Sequence, residues 1–208
     1  MKNLLFLICL YSTIAIASES KFYPNKLNCC KISKSAMNDY EPEEFQLSNN
    51  LLRKTGQQAV YRGTKIIVKG RLLDQDCVPV ADAKIYLWQV GSDGKYPYIP
   101  LRTRINKKML NLVSKSSFTG SGIATTNNKG EFYFITIYPS RVSRETPNVN
   151  IRVDHLYLGQ LQTKLYLSNS RVNLENCGEV SHALSTALDG IKTYEFDVVM
   201  SGRTFKRY

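Results

Sequence analysis

Histidine is scarce in this chain. Only His155 and His182 occur in 208 residues, beside a single tryptophan, Trp88. No Cys-x-x-Cys or His-x-Cys pattern exists, and the adjacent pair Cys29-Cys30 splays its side chains apart, which excludes the usual zinc arrangements. After residue 17 no apolar run is long enough to span a bilayer, so no transmembrane helix is expected in the processed chain. Repeats and low-complexity tracts are absent. Neither an RNA-binding nor a helix-turn-helix pattern appears, so nucleic acid is not an expected partner. Helical patterning is almost missing as well: only "VSHALSTAL" suggests a helical turn or two.

What is present begins with a leader. Lys2 precedes an uncharged, largely apolar run from Leu4 to Ala17, too short to span, and Ala15-Ile16-Ala17 supplies a small-x-small cleavage pattern. Residues 1–17 are therefore expected to be a signal peptide, and the protein to be exported, periplasmic or secreted. Loss of Lys2 with the leader leaves 27 basic against 17 acidic residues, a net charge of +10. The basic residues are scattered, except in "RTRINKK", which gathers Arg102, Arg104, Lys107 and Lys108. Four cysteines remain, Cys29, Cys30, Cys77 and Cys177, and an even count in an exported chain favours two disulfides. A bond between the neighbours Cys29 and Cys30 would close a strained small ring, which favours pairings that reach Cys77 or Cys177.

Residues 18–60 read as an irregular arm with an acidic patch, "NDYEPEEF". Short strand-like segments follow over 61–208. "KIIVKGRLLD" ends at the turn "DQDCVP", and "AKIYLWQV" alternates, with Ile85 and Leu87 on one face and Tyr86 and Trp88 on the other. "GIATT" and "EFYFITIYP" flank "NNKG" and predict a hairpin over 121–139. "NVNIRVDHLYL", "LQTKLYLS" and "TYEFDVVMSG" complete the set. Many short strands with turns between them indicate an all-β sandwich or barrel.

The motifs over residues 60–205 resemble those of the intradiol ring-cleavage dioxygenases, such as the protocatechuate and catechol dioxygenases. The stretch "IIVKGRLLDQDCVPVADAKIYLWQVGSDGKY" is similar to the family's strand, turn, Pro-Val, Trp-Gln strand and Gly-Arg-Tyr series. "FTGSGIATTNNKGEFYFITIYP" and "YEFDVVMSGRTF" resemble its next two elements, in order. The resemblance implies a Greek-key β-sandwich. It also implies an Fe(III) cofactor that supports cleavage of catechols by O2 to muconate-type diacids. By resemblance Tyr96 is an iron ligand, since a phenolate is a hard anionic donor suited to Fe(III).

The other family ligand positions carry different chemistry. The second tyrosine position holds Val142, and the two histidine positions hold Asn150 and Arg152, which share one face of a strand. Thr146 stands where the family has a substrate-handling arginine, and Lys164 where it usually has a glutamine. His155 falls on the opposite face from Asn150 and reads as a packed or surface residue. Arg152 is a permanent cation, and two like charges a few ångströms apart in a partly buried pocket repel by several kcal/mol. Tyr96 is the only family ligand matched, no catalytic residue is assigned, and Trp88, Asn150, Arg152 and Lys164 are the expected pocket residues. Three functions fit: an exported dioxygenase with an altered metal site, a non-catalytic module binding a small aromatic or anionic molecule, or an envelope interaction module using the arm and "RTRINKK".

Overall fold

A computed structural model of the chain describes residues 31–167, 182–184 and 190–204. The leader and Cys29, Cys30 and Cys177 lie outside these residues. Eight strands form two four-stranded sheets: β1 (Lys65–Leu73), β2 (Lys84–Trp88), β3 (Ser121–Thr125), β4 (Glu131–Ile137), β5 (Asn148–His155), β6 (Gly159–Tyr166), β7 (His182–Leu184) and β8 (Lys192–Val199). One sheet runs β4-β1-β8-β7 and the other β3-β2-β5-β6, with β1 and β8 parallel and every other pair antiparallel. The two sheets make the all-β sandwich expected from the strand pattern. Among the described residues the only helical piece is a single 3-10 turn, Lys107–Met109.

The sandwich closes on the alternation written into the strands. Ile66, Val68 and Leu72 of β1 and Phe132 and Phe134 of β4 face Ile85 and Leu87 of β2 and Val149, Ile151 and Val153 of β5, all buried. Gly70 interrupts β1 because its cross-strand partner Phe132 lies over it; a Cβ there would sit 2.2 Å from the Phe132 ring.

Two expectations need correction. "GIATT" and "EFYFITIYP" do not form a hairpin: β3 pairs with β2, and β4 pairs with β1 in the other sheet. The "NNKG" turn, held by Asn127 N donating to Glu131 O and Gly130 N to Asn127 O, is a corner between sheets. Each strand thereby pairs along its length while the apolar side chains of both meet in the interior. Within "VSHALSTAL", residues 182–184 form β7 against β8, because the edge of that sheet offers a hydrogen-bonding partner that local helical patterning ignores.

The arm is built into the sandwich. Leu51 and Leu52 are buried in the main core. Ile123 N donates to Ser48 O, a close approach that Gly122 permits, since a Cβ there would stand 2.3 Å from that carbonyl. Ser33 bonds the end of β8 in both directions, and Thr163 of β6 donates to Lys34 O. The arm thus starts on β8 and ends against Ile135 of β4 in the first sheet, and between these points Phe45 packs on Tyr86 and Trp88 of the second sheet.

Candidate functional site

The site forms where β2 ends. Gln89 fastens that end: its Nε2 donates to Val90 O and, across the sandwich, to Ile137 O, and its Oε1 accepts from Thr136 Oγ1. All of this is buried. The chain then turns through 91–95 and delivers Tyr96, whose backbone N–H donates to Met109 O and whose carbonyl accepts from Asn111 N. Tyr96 is 6% exposed, and its ring stacks on Tyr40 of the arm and tilts against Tyr98.

Asn38 ties the arm to this corner. Its Oδ1 accepts from the Trp88 indole N–H at 3.1 Å and from Tyr40 N at 2.8 Å, while its Nδ2 donates to the Tyr96 hydroxyl at 3.4 Å. Burial pushes the Tyr96 phenol above its ordinary pKa despite the Asn38 bond, so it is neutral at ordinary pH. Tyr98 is pushed up further by burial, with Tyr96 and Glu41 adding to the effect, and its hydroxyl is buried without a hydrogen-bond partner among the described residues.

A pocket of about 200 Å3 opens beside Tyr96. The positions singled out by resemblance, Tyr96, Val142, Asn150 and Lys164, all line it. Their convergence follows from the strand register: Trp88, Asn150 and Lys164 form one row across β2, β5 and β6. Asn150 is 2% exposed; its Nδ2 donates to Trp88 O, while its Oδ1 has no hydrogen-bond partner among the described residues. Lys164 Nζ pairs with Glu145 at 3.1 Å, and Asn148 Nδ2 also reaches that carboxylate, at 3.3 Å.

Arg152, expected in the pocket, is held elsewhere. It lies in the next cross-strand row, between Tyr86 and Gln162, about two residues or 7 Å along β5. Glu41 of the arm pairs with its guanidinium, Asp154 lies 3.3 Å from Nε, and the group sits over the Tyr86 ring at 4.1 Å. An acidic and aromatic lining outcompetes the pocket for this cation. Trp88, fully buried, supports the pocket from behind through its carbonyl and indole rather than forming its wall. His155 ends β5, roughly 16 Å along the strand from Asn150, where its Nδ1 accepts from Leu158 N and Tyr157 N. Tyr138 donates to Leu167 O, and Thr146 lends its carbonyl to Asn148 in the adjoining turn.

Asn38, Tyr40 and Glu145 were not picked out by the sequence. The signal available for the first two was two aromatic residues, Tyr40 and Phe45, inside an acidic irregular segment, where solvent alone would not keep them. Glu145 has no local signal, because its role depends on Lys164 from another strand.

Comparisons agree with this architecture. A family profile described as Dioxygenase matches residues 39–156. A protein of Rickettsia felis named "Putative dioxygenase" is 53% identical over the full length of both chains, and a Rickettsia bellii protein of the same name is 52% identical over the full length of both. The protocatechuate 3,4-dioxygenase beta chain of Burkholderia cepacia is 26% identical, over 79% of this chain and 74% of that one. Among solved structures, an intradiol ring-cleavage dioxygenase from Tetranychus urticae superposes with a TM-score of 0.61 at 18% identity, covering 83% of this chain and 95% of that one. Catechol 1,2-dioxygenase from Pseudomonas arvilla gives 0.59 at 14%, covering 84% and 65%.

Proposed function

The chain belongs to the intradiol ring-cleavage dioxygenase family, and from that premise we propose that it is a binding member whose pocket does not hold the family's ferric centre. The observation that carries this is the donor set around Tyr96. The wall supplies two stacked phenols, Tyr96 at the matched position and Tyr40 of the arm, with an isopropyl group at Val142, a neutral amide at Asn150 and an ammonium–carboxylate pair at Lys164 and Glu145. Among the described residues no imidazole lines the pocket. Fe(III) requires several anionic or imidazole donors, and an ammonium beside it adds repulsion. When bound in such a fold, ferric iron makes a catecholate reactive toward O2; these residues do not fit it, and no step is assigned here.

The pocket's own chemistry favours a small hydroxylated ring. Glu145 offsets the charge of Lys164, so a net anion gains little. The unpaired Asn150 Oδ1 calls for a hydrogen-bond donor, because a buried acceptor left unmade costs about 1–3 kcal/mol. Volume and the Tyr40–Tyr96 wall suit one six-membered aromatic ring. Titration calorimetry with phenol, catechol and benzoate tests the reading: hydroxylated rings bind without being consumed, benzoate binds more weakly, and Asn150→Leu removes the preference. Turnover of catechol by iron-loaded protein would overturn it.

Export belongs to the same proposal, resting on the apolar run Leu4–Ala17 with its Ala15-Ile16-Ala17 pattern. N-terminal sequencing of protein from its own host tests it: a chain beginning near Ser18 is expected, and one still carrying Met1 contradicts it.

A further inference from the structure

We propose that the loop leaving the site at Tyr96, together with the segment after it, is a docking surface for anionic lipid. The parallel bridge between Tyr96 and Leu110 ties the feet of this loop together. Beyond it, Ile99 and Leu112 line one groove. Ile99, Leu101, Leu112 and Val113 are 53–91% exposed, four of the eleven large exposed hydrophobics among the described residues. Their gathering within fifteen residues of chain, two of them in one groove, departs from the usual scatter of single apolar side chains.

The charge carried by this stretch of chain has one sign. No Asp or Glu occurs between Asp93 and Glu131, while Arg102, Arg104, Lys107, Lys108 and Lys115 all fall in the loop and its continuation. Arg102 is neutralised by Asp39 at 2.7 Å. Arg104, Lys107, Lys108 and Lys115 are exposed and have no acidic partner among the described residues. Asn106 caps the 3-10 turn that presents Lys107 and Lys108 together. Glu43 and Glu44 of the arm line the groove as well, Glu43 N donating to Ile99 O, and the four unpaired cations outnumber these two carboxylates.

Basic side chains beside exposed aliphatic ones match the membrane interface, where the cations meet anionic headgroups and the aliphatic tips enter the acyl boundary. Nucleic acid would satisfy the cations alone. It gains nothing from Leu112 and Val113, and it binds single strands best on exposed aromatic platforms, which residues 99–115 lack.

Vesicle sedimentation of the full chain tests the proposal, comparing phosphatidylcholine alone with phosphatidylcholine plus phosphatidylglycerol. The difference between the two isolates the headgroup charge from any contribution of the apolar run Leu4–Ala17, which acts equally in both. Tighter binding to the anionic vesicles is expected, weakening as salt is raised. R104Q/K107Q/K108Q should lose that preference by about ten-fold or more, and L112S/V113S should weaken vesicle binding at unchanged melting temperature. K69Q/K84Q/K129Q removes equal charge from other exposed positions and should retain binding. Equal loss in that control, an unaffected L112S/V113S protein, or binding to duplex DNA in place of vesicles would each overturn the proposal.

Discussion

Tyr40 lies flat on Tyr96, with ring centroids 4.6 Å apart and planes 11° from parallel. One ring comes from the arm and the other from the loop after β2, so the site is completed by chain that carries no strand of its own. The arrangement is held at three points: Asn38 on the Trp88 indole, Tyr40 on Tyr96, and Glu41 on Arg152. The first and last of these cover a polar or charged group of the sheet, the Trp88 indole N–H and the Arg152 guanidinium, that would otherwise be left to solvent. The pocket beside Tyr96 thus has its shape set by the arm as much as by the sandwich.

Tyr40→Ala is expected to widen the pocket and lower stability. The stacked pair contributes about 1 kcal/mol beyond the area it buries, and Tyr96 would then meet water. Tyr40→Phe should keep both ligand affinity and melting temperature near wild type, because the contact is made by the ring face. Thermal melts and calorimetry on the two variants check this.

The sandwich was legible because inward alternation in β1, β2 and β5 is a local property of the sequence. The partner of each strand was not: β3 and β4 look like a hairpin over the "NNKG" turn, yet each pairs better in a different sheet. Asn150 and Lys164 could be assigned to one pocket because they share a face and a cross-strand row. Arg152 was misplaced because its destination depends on Glu41, more than a hundred residues earlier, and no local pattern records that pair.

Gln89→Leu should be among the most damaging substitutions outside the main core. Its side chain satisfies Val90 O, Ile137 O and Thr136 Oγ1, all buried, and the apolar replacement satisfies none of them. Unmade buried hydrogen bonds cost about 1–3 kcal/mol each, so a loss of about 3 kcal/mol or more is expected. Denaturant unfolding of the variant measures it.

Asp74 predicts an acid-sensitive component of stability. Burial raises its pKa, but hydrogen bonds from Thr204 N, Val78 N, Thr204 Oγ1 and Asp76 N outweigh this and hold the carboxyl below the usual range. The unfolded chain therefore takes up its proton first as pH falls. The stabilisation is present above about pH 4 and is lost as pH drops through the folded value. Asp74→Asn should be less stable than wild type at pH 7 and should converge with it in strong acid; melting curves across that window check the sign.

With the proposed export, Cys77 is expected to be disulfide-bonded. It sits in the turn after β1 at φ 66, a left-handed conformation that non-glycine residues seldom take, with its N–H donating to Asp74 O. The candidate partners are Cys29, Cys30 and Cys177. Closing a loop of about 50 residues would add roughly 4 kcal/mol in the chain-entropy description. Non-reducing electrophoresis and peptide mapping should find Cys77 oxidised, and reductant should lower the melting temperature; unchanged mobility and melting would contradict it.

The iron content decides between a binding module and an enzyme. Tyr96 is one hard donor, and the groups that share its pocket include the Tyr40 ring stacked on it, Val142, the Asn150 amide and the Lys164–Glu145 pair. His155 is tied to its own turn by two backbone N–H groups, too far along β5 to swing in. Protein offered ferric iron should therefore remain colourless and substoichiometric in metal, with no turnover of catechol or protocatechuate. Arg152→His alone should not restore activity, because position 152 faces Tyr86 and Glu41 rather than the pocket, and Val142 and Asn150 would still be unchanged. That substitution should instead lower stability, since Glu41 would lose a permanent cation from a partly buried pair. A visible tyrosinate-to-iron band in the wild type, absent from Tyr96→Phe, would return the protein to the ring-cleaving members of its family.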